Sequence, residues 1–183
     1  MQDLQDLFKQ FNQIDDSYPV EQWNPNHCGD IGLSIDRNGQ WFHQGSPVKR
    51  QEILQLFSKL LKQEGNEYFV VTPHEKISVK VSTYPFCVVL SEKQWIDDKP
   101  VIICRLNTQE TFTLSQNYPL CFDPRESDPE KQCWVTIKRG LRAAIHRNVY
   151  YEWAQDAKET QQDGQCVWSI TSSDCEFILG YNA

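Results

Sequence analysis

No run of apolar residues in this 183-residue chain approaches the ~20 that a membrane-spanning helix requires. The first residues, MQDLQDLFKQF, carry neither a basic leader nor a continuous apolar stretch, so no secretory signal is expected. No Cys-x-x-Cys pair occurs, which argues against a zinc ribbon or a thioredoxin-type site. Glycine-rich phosphate loops of the Walker or dinucleotide type are also missing. Gly45-Ser46-Pro47 lacks the second glycine of a nucleophile elbow and reads as a turn, with Ser46 placed to cap the helix that follows. Basic residues are outnumbered, 18 Lys and Arg against 25 Asp and Glu, for a net charge of −7. That balance argues against a protein that coats nucleic acid or an anionic membrane surface.

What the chain does have is core-forming material. Six Trp, seven Tyr and nine Phe exclude a disordered chain. The length suits one domain or two small ones. Seven cysteines stand at 28, 87, 104, 121, 133, 166 and 175, an odd number at wide spacings. Free thiols packed as small hydrophobes in a reducing, cytoplasmic setting are expected. His27-Cys28 is the one local pair of metal-ligating or nucleophilic type, and it has no further ligand nearby in sequence.

Patterning divides the chain into 1–20, 21–84 and 85–183. In the first segment Leu4, Leu7, Phe8, Phe11 and Ile14 mark an amphipathic helix. In the second, residues 31–36 alternate as a strand, Arg37-Asn38-Gly39 reads as a type I′ hairpin turn, and Trp41-Phe42 open the return. Ile53, Leu54, Phe57, Leu60 and Leu61 predict a helix over 49–63, with Gly65 at its left-handed end. Strands follow at 67–72 and 76–81, joined by the turn Thr72-Pro73-His74-Glu75. In the third, strands are expected at 86–90, 100–106, 110–115, 118–122 and 132–138. A helix is expected over 139–158 and closing strands at 165–170 and 175–179. The class is therefore α+β, two small halves, each a mainly antiparallel sheet with one helix. The recurring order of strands, helix and strands suggests an internal duplication.

One electrostatic feature stands out. The N-terminus of a helix carries partial positive charge, and cations there are unfavourable by a few tenths to ~1 kcal/mol. Yet Lys49-Arg50 and Lys138-Arg139 stand at the two expected helix starts. Arg142 and His146 continue from Lys138 at four-residue steps, with Arg147 beside them. Two readings follow. The cations are solvated or ion-paired to some of the 25 acids, or they hold an anion together with helix-end N–H groups. On the second reading Lys49, Arg50, Lys138, Arg139 and Arg142 hold a phosphorylated or nucleotide-like molecule, and Trp41 or Trp134 stacks on a base. No base, nucleophile or metal cluster is evident, so no cofactor is expected. A phosphoester hydrolase using Asp30 or Asp36 remains as a separate reading.

A set of motifs recurs in a fixed order. It runs Cys28-Gly29-Asp30-Ile31, Asp36-x-x-Gly39-x-Trp41-Phe42, Gly45-Ser46-Pro47-Val48-x-Arg50 and Leu56-Phe57. Thr72-Pro73-x-Glu75-Lys76, Tyr84-Pro85-Phe86, Gly140-Leu141-x-Ala143 and Val149-Tyr150-Tyr151-Glu152 continue it. From about Cys28 to Leu179 the chain resembles the bacterial domain-of-unknown-function family 1285. The resemblance implies two duplicated α+β halves, the second loosely similar to pleckstrin-homology folds. It also implies a ligand site between the halves and a role in signalling. Trp41, Ser46, Glu75 and Lys76 belong to those motifs and join the basic residues as candidate ligand contacts. Ala143-Ala144 departs from the acidic or arginine-containing helix start common in the family. The expected activity is ligand sensing without catalysis; the alternative is a protein–protein interaction module with no small ligand.

Overall fold

The structure is a computed structural model that describes residues 18–162 and 164–181. Residues 1–17 of the expected N-terminal helix lie outside the described residues, as do the side chains of His27 and Cys28. The chain divides into two compact units. The first ends at Val81 and lacks Asp36–Gly39, which is counted with Ser82–Ala183 in the second.

The first unit is a six-stranded sheet and one helix. Its elements are β1 (His27–Ile35), β2 (Trp41–His43), β3 (Ser46–Pro47), α1 (Gln51–Leu60), β4 (Leu61–Glu64), β5 (Glu67–Val71) and β6 (Lys76–Val81). The strand order is β3-β2-β1-β6-β5-β4, antiparallel throughout except for the parallel pair β1–β6. Ile53, Leu56, Phe57 and Leu60 recur at helical spacing and are all buried. Phe57 meets the fully buried Trp41, ring centroids 5.7 Å apart. The helix is shorter than its apolar pattern predicts. Leu61 turns to extended backbone and pairs with Val70, so 61–64 becomes a strand and Gly65 serves a hairpin turn instead of a helix end. Leu61 is fully buried in its strand position, and sheet pairing there outweighs helix propensity.

The second unit contains β7 (Phe86–Ile96), β8 (Lys99–Leu106), β9 (Thr111–Thr113) and β10 (Leu120–Phe122). A single helical turn at Pro129–Gln132 leads to β11 (Cys133–Thr136) and β12 (Arg142–Ile145). Then come α2 (Arg147–Asp156), β13 (Lys158–Gln162), β14 (Gln165–Ser172) and β15 (Cys175–Tyr181). The larger sheet runs β10-β11-β12-β7-β8-β9, with β12 and β7 parallel and all other pairs antiparallel. The last three strands form a second antiparallel sheet that curls against the first, β15 beside β10 and β14 beside β8.

Counted from its own first strand, each six-stranded sheet has the same order, 3-2-1-6-5-4, with strands one and six parallel. The two halves are related in their sheets. Their helices are not equivalent: α1 lies between the third and fourth strands, α2 after the sixth. The single helix expected over 139–158 is the strand β12 followed by α2, because Arg139 and Gly140 take positive φ (55° and 72°) and turn the chain back along β11.

Six described cysteines are free. Burial pushes the thiols of Cys104 and Cys133 up to about 12 and that of Cys87 up to about 11. A raised thiol pKa leaves almost no thiolate at pH 8, the form that reacts. Iodoacetamide at pH 8 is therefore expected to alkylate Cys121 and Cys175 first and to spare Cys87, Cys104 and Cys133, as read by peptide mass spectrometry on native protein. Cys166, whose thiol donates to Glu159 at 2.6 Å and is pushed up by that bond, is expected to react more slowly than Cys121 and Cys175. Phe57→Ala is expected to lower unfolding free energy by about 3–5 kcal/mol in urea, from lost burial and the cavity left against Trp41. Exposed Lys49→Ala changes it by less than about 0.5 kcal/mol.

Candidate anion site at the start of the second helix

Lys49 and Arg50 are exposed at the start of α1, as the spacing predicts. Arg50 occupies the cap position, and no side chain caps the helix. The start is not purely cationic, since Glu52 lies in the first turn. Ser46 is exposed on β3, paired with His43, and does not cap the helix. Trp41, expected as a stacking platform, is fully buried and presents no face to solvent. Its indole packs on Phe57 because strand alternation from Ile35 places it on the helix-covered side. Glu75 and Lys76 close the turn in which the Thr72 hydroxyl accepts the backbone N–H of His74 and Glu75 at 3.2 and 2.9 Å. The Lys76 ammonium donates to Glu64 and lies 4.2 Å above the Phe69 ring. That hydrogen bond holds the Glu64 carboxyl below the usual carboxylate range. Lys76 is thus committed within its own unit.

In the second unit Lys138 is ion-paired with Glu110 at 2.6 Å, and Arg139 sits exposed in the β11–β12 turn. Lys138 opens a three-residue 3-10 turn, Lys138–Gly140, and neither residue is at the start of an α-helix, which corrects the expected placement. Arg142, on β12, lays its guanidinium 4.4 Å from the Trp134 ring centre and 5.8 Å from that of Tyr84. Arg142 therefore covers the Trp134 face that was expected to stack on a base. Burial raises the Tyr84 phenol above its ordinary range, against the opposing pull of Arg142.

The second helix actually starts at His146-Arg147. The parallel pair β7–β12 sets Cys87 opposite Ala144, and the His146 N–H donates to the Val88 carbonyl at 3.0 Å. Strand pairing therefore fixes where α2 begins. His146 is the cap: its Nδ1 accepts the Asn148 N–H at 3.3 Å. The first turn of α2 has no acidic residue. Beside it opens a cavity of about 430 Å³ lined by Arg37, Asn38, Thr83, His146, Arg147 and Asn148, with Cys87 and Ala144 among its apolar walls. Arg147 is exposed and makes no ion pair among the described residues. Arg37, Asn38, Thr83, Arg147 and Asn148 were not among the residues expected to bind. The alternation of Leu141, Ala143 and Ile145 after Arg139-Gly140 was the signal for a strand there, and so for a later helix start.

The turn that brings Arg37 and Asn38 to this cavity is held at Gly39. The expected type I′ turn is not formed, since only Gly39 has positive φ (76°) and its N–H donates back to the Asp36 carbonyl at 3.0 Å. Asn107 braces it, donating to the Gly39 carbonyl at 2.6 Å and accepting the Cys87 N–H at 3.0 Å. A Cβ at Gly39 would lie 2.6 Å from the Asn107 amide nitrogen and 3.1 Å from the Cys87 Cβ. Gly39→Ala combines a left-handed backbone with that overlap, so a loss of about 1–3 kcal/mol is expected in urea unfolding. Gly65→Ala, with a similar φ and open space around it, is expected to cost less.

Comparison with known proteins places the chain. Residues 18–83 match the N-terminal domain, and residues 85–179 the C-terminal domain, of the protein family of unknown function DUF1285. The crystal structure of a DUF1285 family protein from Silicibacter pomeroyi DSS-3 superimposes with a TM-score of 0.81 at 29% identity, over 99% of this chain and 96% of that one. A DUF1285 family protein from Shewanella baltica OS155 shares the fold at 19% identity and TM-score 0.52, over 69% of this chain and 92% of its own. No curated protein matches the chain. The family resemblance carried by the ordered motifs is thereby established, and the chain belongs to the DUF1285 family.

Proposed function

We propose that this protein is a sensor that binds a phosphorylated small molecule at the start of α2. The observation that carries the reading is the cavity of about 430 Å³ that Arg37 and Arg147 line beside a helix whose first turn has no acidic residue. Its size lies within the range of small-molecule sites. Arginine offers a planar fork that matches phosphate oxygens, and the helix end adds N–H groups and partial positive charge. Asn38 and Asn148 supply neutral groups for a ribose or a base edge, which supports a nucleotide-like ligand. A charged anion in an otherwise acidic protein needs such a local concentration of donors. Binding by groups from two chain segments, the 36–39 turn and the β12–α2 junction, supports a signalling role. The ligand orders one segment against the other. The looser likeness of the second half to pleckstrin-homology folds is supported by its order of six strands followed by a helix.

The test is calorimetric titration of the whole protein with inorganic phosphate and a panel of nucleoside mono- and diphosphates. At least one is expected to bind, more weakly as salt is raised. Arg147→Glu is the informative variant. It removes a charge-assisted bond of about 1.5–3 kcal/mol, so affinity falls by about tenfold or more. An acid in the first turn of α2 suits the helix dipole, so the melting temperature holds or rises. Unchanged affinity in a folded Arg147→Glu variant would refute the site.

A further inference from the structure

A second recess lies elsewhere in the same unit, and its chemistry differs. It has a volume of about 290 Å³ and sits among the β7–β8 hairpin, β14 and α2. Its walls are Trp95, Pro100, Ile102, Trp153 and Ile170. Trp153 is buried, and its indole N–H donates to the Ser91 hydroxyl at 3.0 Å, which fixes one wall. Trp95 is 70% exposed, the largest exposure among the big hydrophobic side chains described.

The hairpin that carries Trp95 is anchored rather than loose. Ile96 pairs with Lys99 across a two-residue turn in which Asp97 and Asp98 both take positive φ, 49° and 60°. The matching turn Ser173-Asp174 of the β14–β15 hairpin has φ of 51° and 62°. The two hairpin ends are stapled together: the Ser173 N–H donates to the Pro100 carbonyl at 2.9 Å, and Lys99 pairs with Asp174 at 2.5 Å. Deeper in, the Ser172 hydroxyl accepts the Ile102 N–H at 2.9 Å and donates to the Leu114 carbonyl at 2.6 Å. Trp95 is thus presented on a braced support with its large apolar surface in water, an arrangement suited to a preformed aromatic site.

The rim carries both signs of charge. Lys93 and Asp156 neutralise one another at 2.9 Å. Lys158 and Glu152 also line the recess, and neither makes an ion pair among the described residues. An anionic ligand would be repelled by Glu152 and a cationic one by Lys158. A molecule with an apolar ring and one charge of each sign satisfies both.

We propose that this recess binds a small amphoteric aromatic molecule, the class of a free aromatic α-amino acid. Its ring lies against Trp95, its carboxylate meets Lys158 and its ammonium meets Glu152. The site shares no residue with the α2-start cavity, so the two readings stand or fall separately.

The test is isothermal titration of the whole protein with L-phenylalanine, L-tyrosine and L-tryptophan. Phenylacetate and phenethylamine, which each keep the ring and one charge, serve as comparisons. At least one amino acid is expected to bind at one site per chain, with each single-charge analogue weaker by about tenfold or more. Trp95→Ala is expected to abolish that binding at unchanged melting temperature, since the side chain is mostly exposed, and Lys158→Glu to weaken it by about tenfold. Absence of heat with all three amino acids at millimolar concentration overturns the proposal. So does equal binding of the single-charge analogues, or full binding by folded Trp95→Ala. Sedimentation showing a dimer that dissociates in Trp95→Ala also overturns it, because a second copy then fills the recess.

Discussion

Each half of this protein depends on a parallel pairing between the first and last strands of its sheet. An antiparallel meander of three strands is easily formed, because tight turns join its members. Two such meanders become a six-stranded sheet only when β1 finds β6 and β7 finds β12. Those contacts close the longest loops in each half, and loop closure must be offset by the apolar surface the pairing buries. Phe86, Cys87, Val88 and Ala143, all buried, supply that surface in the second unit. The same pairing delivers His146 to the end of β12 and so sets the first turn of α2 beside Cys87 and Ala144.

Among the described basic residues, some are used internally and others line cavities. Lys76 and Lys138 are consumed by Glu64 and Glu110, and Arg142 lies flat on Trp134. The helix-start argument holds as physics: cations that oppose a dipole call for an anion or for screening. Its outcome differs at the two helices. At α1 the acid Glu52 sits in the same turn, whereas α2 begins without any acid. Similar reasoning separates the aromatic residues. Trp41 and Trp153 are buried by a helix and an adjoining strand, while Trp95 stays mostly exposed on its hairpin.

Much of the architecture is written in the sequence. A period-two run marks β6, the continuous apolar run Val101-Ile102-Ile103-Cys104 marks β8, and the 3.6-residue stripe of Ile53, Phe57 and Leu60 marks α1. The ordered motifs name the family. Local pattern fails where a helical spacing spans two elements. Arg142 and His146, four residues apart, would lie on one side of a helix, but Arg142 opens the strand β12 and His146 caps α2, so the spacing spans two elements. Two turns built from Asp97-Asp98 and Ser173-Asp174 carry no glycine, so the full length of β7 was also hidden.

The sequence by itself determined the α+β class, the near-repetition of two halves and the collection of cations in a basic-poor chain. Tertiary structure decided which cations pair with acids and which line cavities, where the second helix begins and which tryptophan meets water. The reason is range. Helix stripes and strand alternation are set by neighbours a few residues apart. The partner of Lys138 is 28 residues away, and α2 starts where a parallel strand pairing ends. No local period encodes either distance.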